Sequence, residues 1–376
     1  MKYFDYAANT PVDKEVMDYY VEQSNRYFAN PNSSHLLGRE ANVRLGEITE
    51  HIADMLGVKS TEIIYTSGAS EANNLAVKGL VQAYKHNGKH IISTCLEHSS
   101  VSGALTYLQT LGYEIDLVDI TNEGLVDLEH LKELLRQDTV LVSICMVDSE
   151  LGVQQPINRI GELLEAYPNC FFHTDATQAI GKVPVSFRHV DLFTFTPHKF
   201  FGMNGCGILI KRETVVVEPL IHGGTSTTIY RSGTPALGLA ASIEKSLELA
   251  LTSLEERYQS VLERNQELKA ELLKFKKVRF NSTNRSIPHI LNISVRGVKA
   301  AVFQKALEEE GICVSIKSAC SVLNSPSRPV YAVTKDKKNA MCSWRISISH
   351  QTSPQDIKEF LQAFARCYDR LTEGNN

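Results

Sequence analysis

From residue 62 onward the chain alternates short β-branched or aromatic runs with helical patterns, and this limits its possible folds more than any other feature. Strand-like segments at 62–66, 90–94, 114–118, 140–145, 170–174 and 191–195 are separated by helical patterns starting at Glu71, near Ser99, at 127–136 and at 157–166. Strands separated by helices return to a sheet in the same direction, so the pattern predicts an α/β fold with a mostly parallel sheet covered on both faces. Ahead of it lie an extended Tyr3–Pro11 segment and helices over about Asp13–Tyr27 and Gly38–Leu56. Behind it come a strand at Gly207–Ile210 and a helical stretch from Pro235 to about Lys274, broken near Thr252. The last third changes character, with strands at 288–295, 312–316 and 343–349, helices at 299–310 and from about Pro354, and a long loop before residue 343. The expected division is a large domain over 13–250 and a small α+β domain from 1–12 and 251–376.

Composition narrows the function classes. A net charge of −4 gives no electrostatic reason to bind nucleic acid or an anionic membrane. There is no 18-residue apolar run, and Met1 leads at once into strand-like Tyr3-Phe4, so a cytoplasmic protein is expected. The eight cysteines form no C-x-x-C pair, which leaves no support for a metal site.

Chemistry-bearing residues fall at predicted strand ends, where open α/β sheets bind ligands. Ser67-Gly68-Ala69-Ser70 joins a strand to a helix, and its backbone N–H groups and hydroxyls suit a phosphate, although an ordinary N-cap turn has the same composition. Asp175 closes the strand C-F-F-H-T-D and would point into the crevice. Lys199 follows in D-L-F-T-F-T-P-H-K-F-F-G, where Pro197 stops the strand because it has no N–H to donate. A lysine between a proline and two phenylalanines is partly desolvated, which favours attack on carbonyls. Alone it would more often be a surface lysine whose stem covers the rings. Phosphate cradle, buried carboxylate and lysine in this order match what pyridoxal 5'-phosphate requires.

The chain resembles the cysteine desulfurases of the class V aminotransferase superfamily, the nitrogenase and iron–sulfur assembly type. The resemblance rests on D-Y-A-A-N-T-P at Asp5, N-P-N-S-S-H at Asn30, T-S-G-A-S-E-A-N-N at Thr66, E-H-S-S-V at Glu97, D-A-T-Q at Asp175, T-P-H-K at Thr196, R-S-G-T at Arg231 and S-A-C-S at Ser318. It implies a homodimeric enzyme of the aspartate-aminotransferase-like fold (fold type I) with pyridoxal 5'-phosphate as cofactor. Ser70, Ala69, Thr196 and His198 would hold the phosphate, and Thr234 would reach the phosphate of the partner subunit. His98 would stack on the ring, Asp175 would pair with its nitrogen, Gln178 would approach its phenolic oxygen, and Lys199 would form the Schiff base. Arg345 would clamp the substrate carboxylate, with Asn30 also on the substrate side. Cys320 would take the sulfur of L-cysteine as a persulfide, release L-alanine and pass the sulfur to an acceptor protein, with Lys317 nearby as a cation that favours the thiolate. A related enzyme that does not use Cys320 (a transaminase, selenocysteine lyase or cystine lyase) or a non-catalytic scaffold would share most of these motifs.

Four positions depart from the family pattern. Asp148-Ser149 replaces a pair of asparagines, Ser226–Ile229 replaces Q-E-R-G, and Ile316-Lys317 replaces a glycine before S-A-C. Arg345–His350 reads R-I-S-I-S-H where R-F-S-L-G-R is usual. None removes a group the chemistry requires, and together they imply a divergent paralogue.

Overall fold

The computed structural model describes residues 1–317 and 325–373. The strands are β1 (Lys2–Tyr3), β2 (Ile63–Thr66), β3 (His90–Ser93), β4 (Glu114–Leu117), β5 (Thr139–Ser143), β6 (Phe171–Asp175), β7 (Leu192–Phe195), β8 (Gly207–Lys211), β9 (Val278–Phe280), β10 (Ile290–Val295), β11 (Ile312–Cys313) and β12 (Ser343–Ser347). A seven-stranded sheet runs β2-β8-β7-β6-β5-β3-β4. Its β3, β4, β5, β6 and β7 pair in parallel, whereas β8 is antiparallel to both β2 and β7. The chain turns straight back from β7 through residues 196–206, too short a stretch for a crossover helix, so β8 must run the other way. The inner strands are buried along their length, as a sheet covered on both faces requires.

Capping chemistry sets the helix starts. Asp13 accepts the Glu15 N–H before the helix Lys14–Arg26, and His98 accepts the Ser100 N–H before Ser99–Thr110. The long helical stretch breaks at Ser253, between Leu237–Thr252 and Leu254–Leu272. No helix among the described residues is long and apolar enough to cross a membrane.

A second core gathers Phe4 with residues from Val261 onward around the antiparallel sheet β12-β10-β9. Its centre is Trp344, fully buried and stacked on Phe303 at 5.3 Å. The expected long loop before β12 is corrected: it holds helices at Arg328–Thr334 and Lys337–Met341. Ser327 and Asp336 cap them, and Pro329 sits in a first turn, where its missing N–H costs nothing. Val330 and Ala340 pack on Leu151 and Val153. Proline, serine and lysine therefore mark helix ends here.

Truncating Phe303 to alanine opens a cavity against Trp344 and should cost about 3–5 kcal/mol. Trp344 is the single tryptophan, so its fluorescence during denaturant unfolding reads this core directly. An unchanged midpoint for Phe303→Ala would show that the stacked pair carries little of its stability.

Candidate active site

A cavity of about 350 Å³ opens where the segments after β2, β3, β5, β6 and β7 converge, and this is the size of a small-cofactor pocket. The turn at Gly68 passes directly over β8. A Cβ on Gly207 would lie 2.6 Å from the Gly68 carbonyl carbon, so Gly207 is what lets Gly68-Ala69-Ser70 settle against the sheet. Glu71 closes the same turn, accepting the Ser67 N–H at 2.7 Å and pairing with Arg231 at 2.9 Å. Burial would raise Glu71, but the bonds from Arg231 and Ser67 outweigh it and hold the carboxyl below its ordinary range.

Asp175 ends β6 with one oxygen on the Thr177 N–H at 2.9 Å and the other on Asn73 Nδ2 at 2.7 Å. Asn73, fully buried, also donates to Ser100 Oγ at 2.9 Å and accepts from the Thr194 hydroxyl. Ser100 Oγ in turn lies 2.9 Å from Nδ1 of His98. Burial pushes His98 down, so its ring is neutral at pH 7. Thr196 and His198 share a 2.9 Å contact, and the Thr196 hydroxyl is also 2.8 Å from the Cys206 carbonyl.

Lys199 closes the single helical turn Pro197–Lys199. Its Nζ donates to the Ala7 carbonyl at 3.0 Å and the Ala8 carbonyl at 2.5 Å. The N-terminal segment braces this turn from one side: Thr10 donates to the His198 carbonyl from its N–H and hydroxyl, and accepts the Phe201 N–H at 2.7 Å. Phe201 needs that brace, because its φ of +70° is strained for a bulky residue. Gln178 donates to the same Ala7 carbonyl at 2.8 Å and accepts from Lys182 at 2.5 Å. Arg345 is 2 % exposed and is clamped by Asp5 at 2.8 Å and the Ser149 carbonyl at 2.6 Å. Its Nε, like Thr177 Oγ1, is buried and has no hydrogen-bond partner among the described residues.

The structure thus brings Ala69, Ser70, His98, Asp175, Gln178, Thr196, His198, Lys199 and Arg345 around one cavity. Asn30 is not among them: it is exposed, and its side chain caps the Asn32 N–H at 2.9 Å. Thr234 lies at a separate cavity of about 110 Å³, beside Arg231 and Ser67. Cys320 lies outside the described residues, and Lys317 donates to Ser325 Oγ at 2.9 Å and its carbonyl at 2.8 Å. Asp148 turns away from the pocket to bind the N–H groups of Glu150 and Leu151, while Ser149 lines it. The residue that sequence reasoning passed over is Asn73. Its signal was a polar side chain on the helix stripe otherwise formed by Ala72, Ala76 and Val77.

The residues fit pyridoxal phosphate. A helix-start turn at Gly68–Ser70, a carboxylate that accepts from two donors and an amine all line the same cavity. Unpartnered donors at Thr177 and Arg345 await a guest.

Substitutions at two positions test this geometry. Gly207→Ala should weaken cofactor affinity about 5- to 150-fold, since overpacking costs about 1–3 kcal/mol; an equilibrium titration of the cofactor absorbance measures it. Glu97 accepts the Cys145 N–H and the Thr94 hydroxyl on one oxygen, while the other is buried and unpartnered. Burial raises its pKa to about 8, so it stays protonated at pH 7. A raised carboxyl pKa favours the folded state at low pH and loses that contribution as pH climbs from about 4.5 to 8. Glu97→Gln should therefore gain stability over the parent across that range, by up to about 1.4 kcal/mol per pH unit. Parallel pH–stability curves for both proteins would contradict a buried acid.

The class-V aminotransferase family model matches residues 2–360. A cysteine desulfurase IscS of Dictyoglomus turgidum is 36 % identical over 98 % of this chain and 95 % of its own length. Among solved structures, a NifS-like protein superposes with a TM-score of 0.92 at 30 % identity, covering 99 % of this chain and 100 % of that one. The structure of SspA in complex with cysteine gives 0.81 at 29 % identity, over 93 % of this chain and 99 % of that one. The alternation of strands and helices, the cavity at the strand ends and these likenesses agree, and the chain belongs to the class-V aminotransferase family.

Proposed function

We infer that the protein is a pyridoxal-5'-phosphate-dependent cysteine desulfurase, acting on L-cysteine and yielding L-alanine. The observation that carries the reading is the convergence of Lys199, Asp175 and the Gly68–Ser70 turn on one cavity, in a chain 36 % identical to a cysteine desulfurase along its length. When bound, the cofactor withdraws electrons from the substrate Cα and makes its proton removable.

The residues around the cavity do the rest. Ala69, Ser70, Thr196 and His198 hold the phosphate. Asp175, which accepts from Asn73 and the Thr177 N–H, would pair with the ring nitrogen. Neutral His98 presents a flat face free of cationic repulsion. Lys199 Nζ, released from the Ala7 and Ala8 carbonyls, takes the Cα proton. Arg345, held at the cavity wall by Asp5 and the Ser149 carbonyl, would meet the substrate carboxylate. Cys320 Sγ attacks the substrate sulfur, the Cβ–S bond breaks, and the sulfur stays on Cys320 as a persulfide for an acceptor protein. Thr234, which does not line its own chain's main cavity, serves the partner subunit of a homodimer.

Incubating the holoenzyme with L-cysteine and a thiol reductant should release alanine and sulfide in equal amounts. Cys320→Ala should retain the cofactor absorbance and lose sulfide release to background. Lys199→Ala should lose the aldehyde-linked absorbance together with turnover, by about 10²–10⁴-fold or more. Equal sulfide release from the parent and Cys320→Ala would refute the persulfide route.

A further inference from the structure

Behind Lys199, across the Ala7 wall from the active-site cavity, lies a second and much smaller cavity of about 20 Å³. A single water needs about 10–15 Å³, so there is room for one atom-sized guest. Its charge pattern is one-sided. Lys182, Lys199, Arg257, His289 and His350 all contribute to the wall, and no aspartate or glutamate does.

Two of these basic groups carry no carboxylate bond among the described residues. Lys182 is 7 % exposed, and its hydrogen-bond partner among the described residues is the neutral Oε1 of Gln178. His289 is 7 % exposed, and its Nδ1 is buried with no partner among the described residues. Arg257 lies over the Phe201 ring at 6.0 Å, and the His350 ring packs on the same phenylalanine at 4.6 Å. The acids that act on this group stand outside the wall: Asp13 on Arg257 and His350, and Glu256 on Arg257. Ser349 Oγ accepts the Gln351 N–H, which leaves its hydroxyl proton to donate. Burial, with Lys199 and Arg345 beside it, pulls Lys182 well below the ordinary amine range. Burial, with Lys182 and His350, pulls His289 down to about 3. Basic groups in an apolar setting give up their protons when nothing balances the charge, and an anion among them reverses this. Two of the residues, Ser349 and His350, are places where R-I-S-I-S-H departs from the family pattern.

We propose that this cavity is a halide-sized anion site that takes one monovalent anion such as chloride, with Lys182 Nζ, His289 Nδ1 and Ser349 Oγ as donors. The anion keeps Lys182 in its ammonium form, and Lys182 in turn fixes the Gln178 amide that shares the Ala7 carbonyl with Lys199. The site stands on its own geometry and does not require the desulfurase reading.

Crystals of the holoenzyme soaked in sodium bromide test it. The expected result is an anomalous bromine peak inside the cavity, in contact with Lys182 and His289. In solution, replacing gluconate by chloride or bromide at fixed ionic strength should raise Tm by about 1–3 °C, because the anion binds the folded state alone. His289→Phe, which fills the cavity and removes a donor, should abolish that rise, as should Lys182→Met. A cavity holding only water overturns the proposal, whatever the variants do. So does a peak without a halide-specific rise in Tm, which would mean binding at crystal concentration only. Cysteine turnover is assayed apart from both readouts, so failure of one reading leaves the other intact.

Discussion

A carboxylate taken out of water has to be met by donors, and Asp175 is the charge around which the site is arranged. Its main side-chain support is Asn73, which reaches it from the helix Ala69–Asn74. The same amide holds Ser100, beside His98, and Thr194, in the neighbouring strand. One buried side chain therefore ties together two neighbouring strands and the start of a helix. Networks of this kind fail as units, because removing one partner leaves the others unsatisfied in a medium that penalises each of them.

Around that charge the protein suppresses others. His98, His198 and His173 are all pushed down by burial, and Glu97 is pushed up. Other charge-bearing side chains at the site are fixed by partners: Asp175 by Asn73, Arg345 by Asp5, and Glu71 by Arg231. A charge added by a ligand is then felt strongly, since little mobile charge stands nearby to offset it.

Much of this was legible in the sequence because it is written locally. The period of the strands and helices marked the sheet, and the strand-end positions of Asp175 and Lys199 marked the site. What was not legible depends on contacts between distant segments. The reversed direction of β8 follows from the short return after β7, which pattern reading does not weigh. The helices at 328–341 were hidden because serine and proline signal helix starts as readily as loops. Asn73 was hidden by its helix, whose apolar stripe reads as core packing. The Ala7 and Ala8 carbonyls that hold Lys199 could not be found at all, since any residue supplies a carbonyl. Asn30 is the opposite case: a residue carried over by likeness that this chain uses to cap its own turn.

The segment that braces Lys199 is made first and positioned last. Asp5 pairs with Arg345, the Ala7 N–H donates to Ser347, and Thr10 locks the turn at His198. The first two partners lie 340 residues away in sequence and the third 188. During synthesis the first ten residues therefore wait, unable to settle, until β12 has emerged. Only then do the carbonyls of Ala7 and Ala8 arrive over the lysine. The chain thus cannot hold a finished active site while it is incomplete, and a truncated copy ending before residue 343 would carry Lys199, Asp175 and the phosphate cradle without the strap that aligns them.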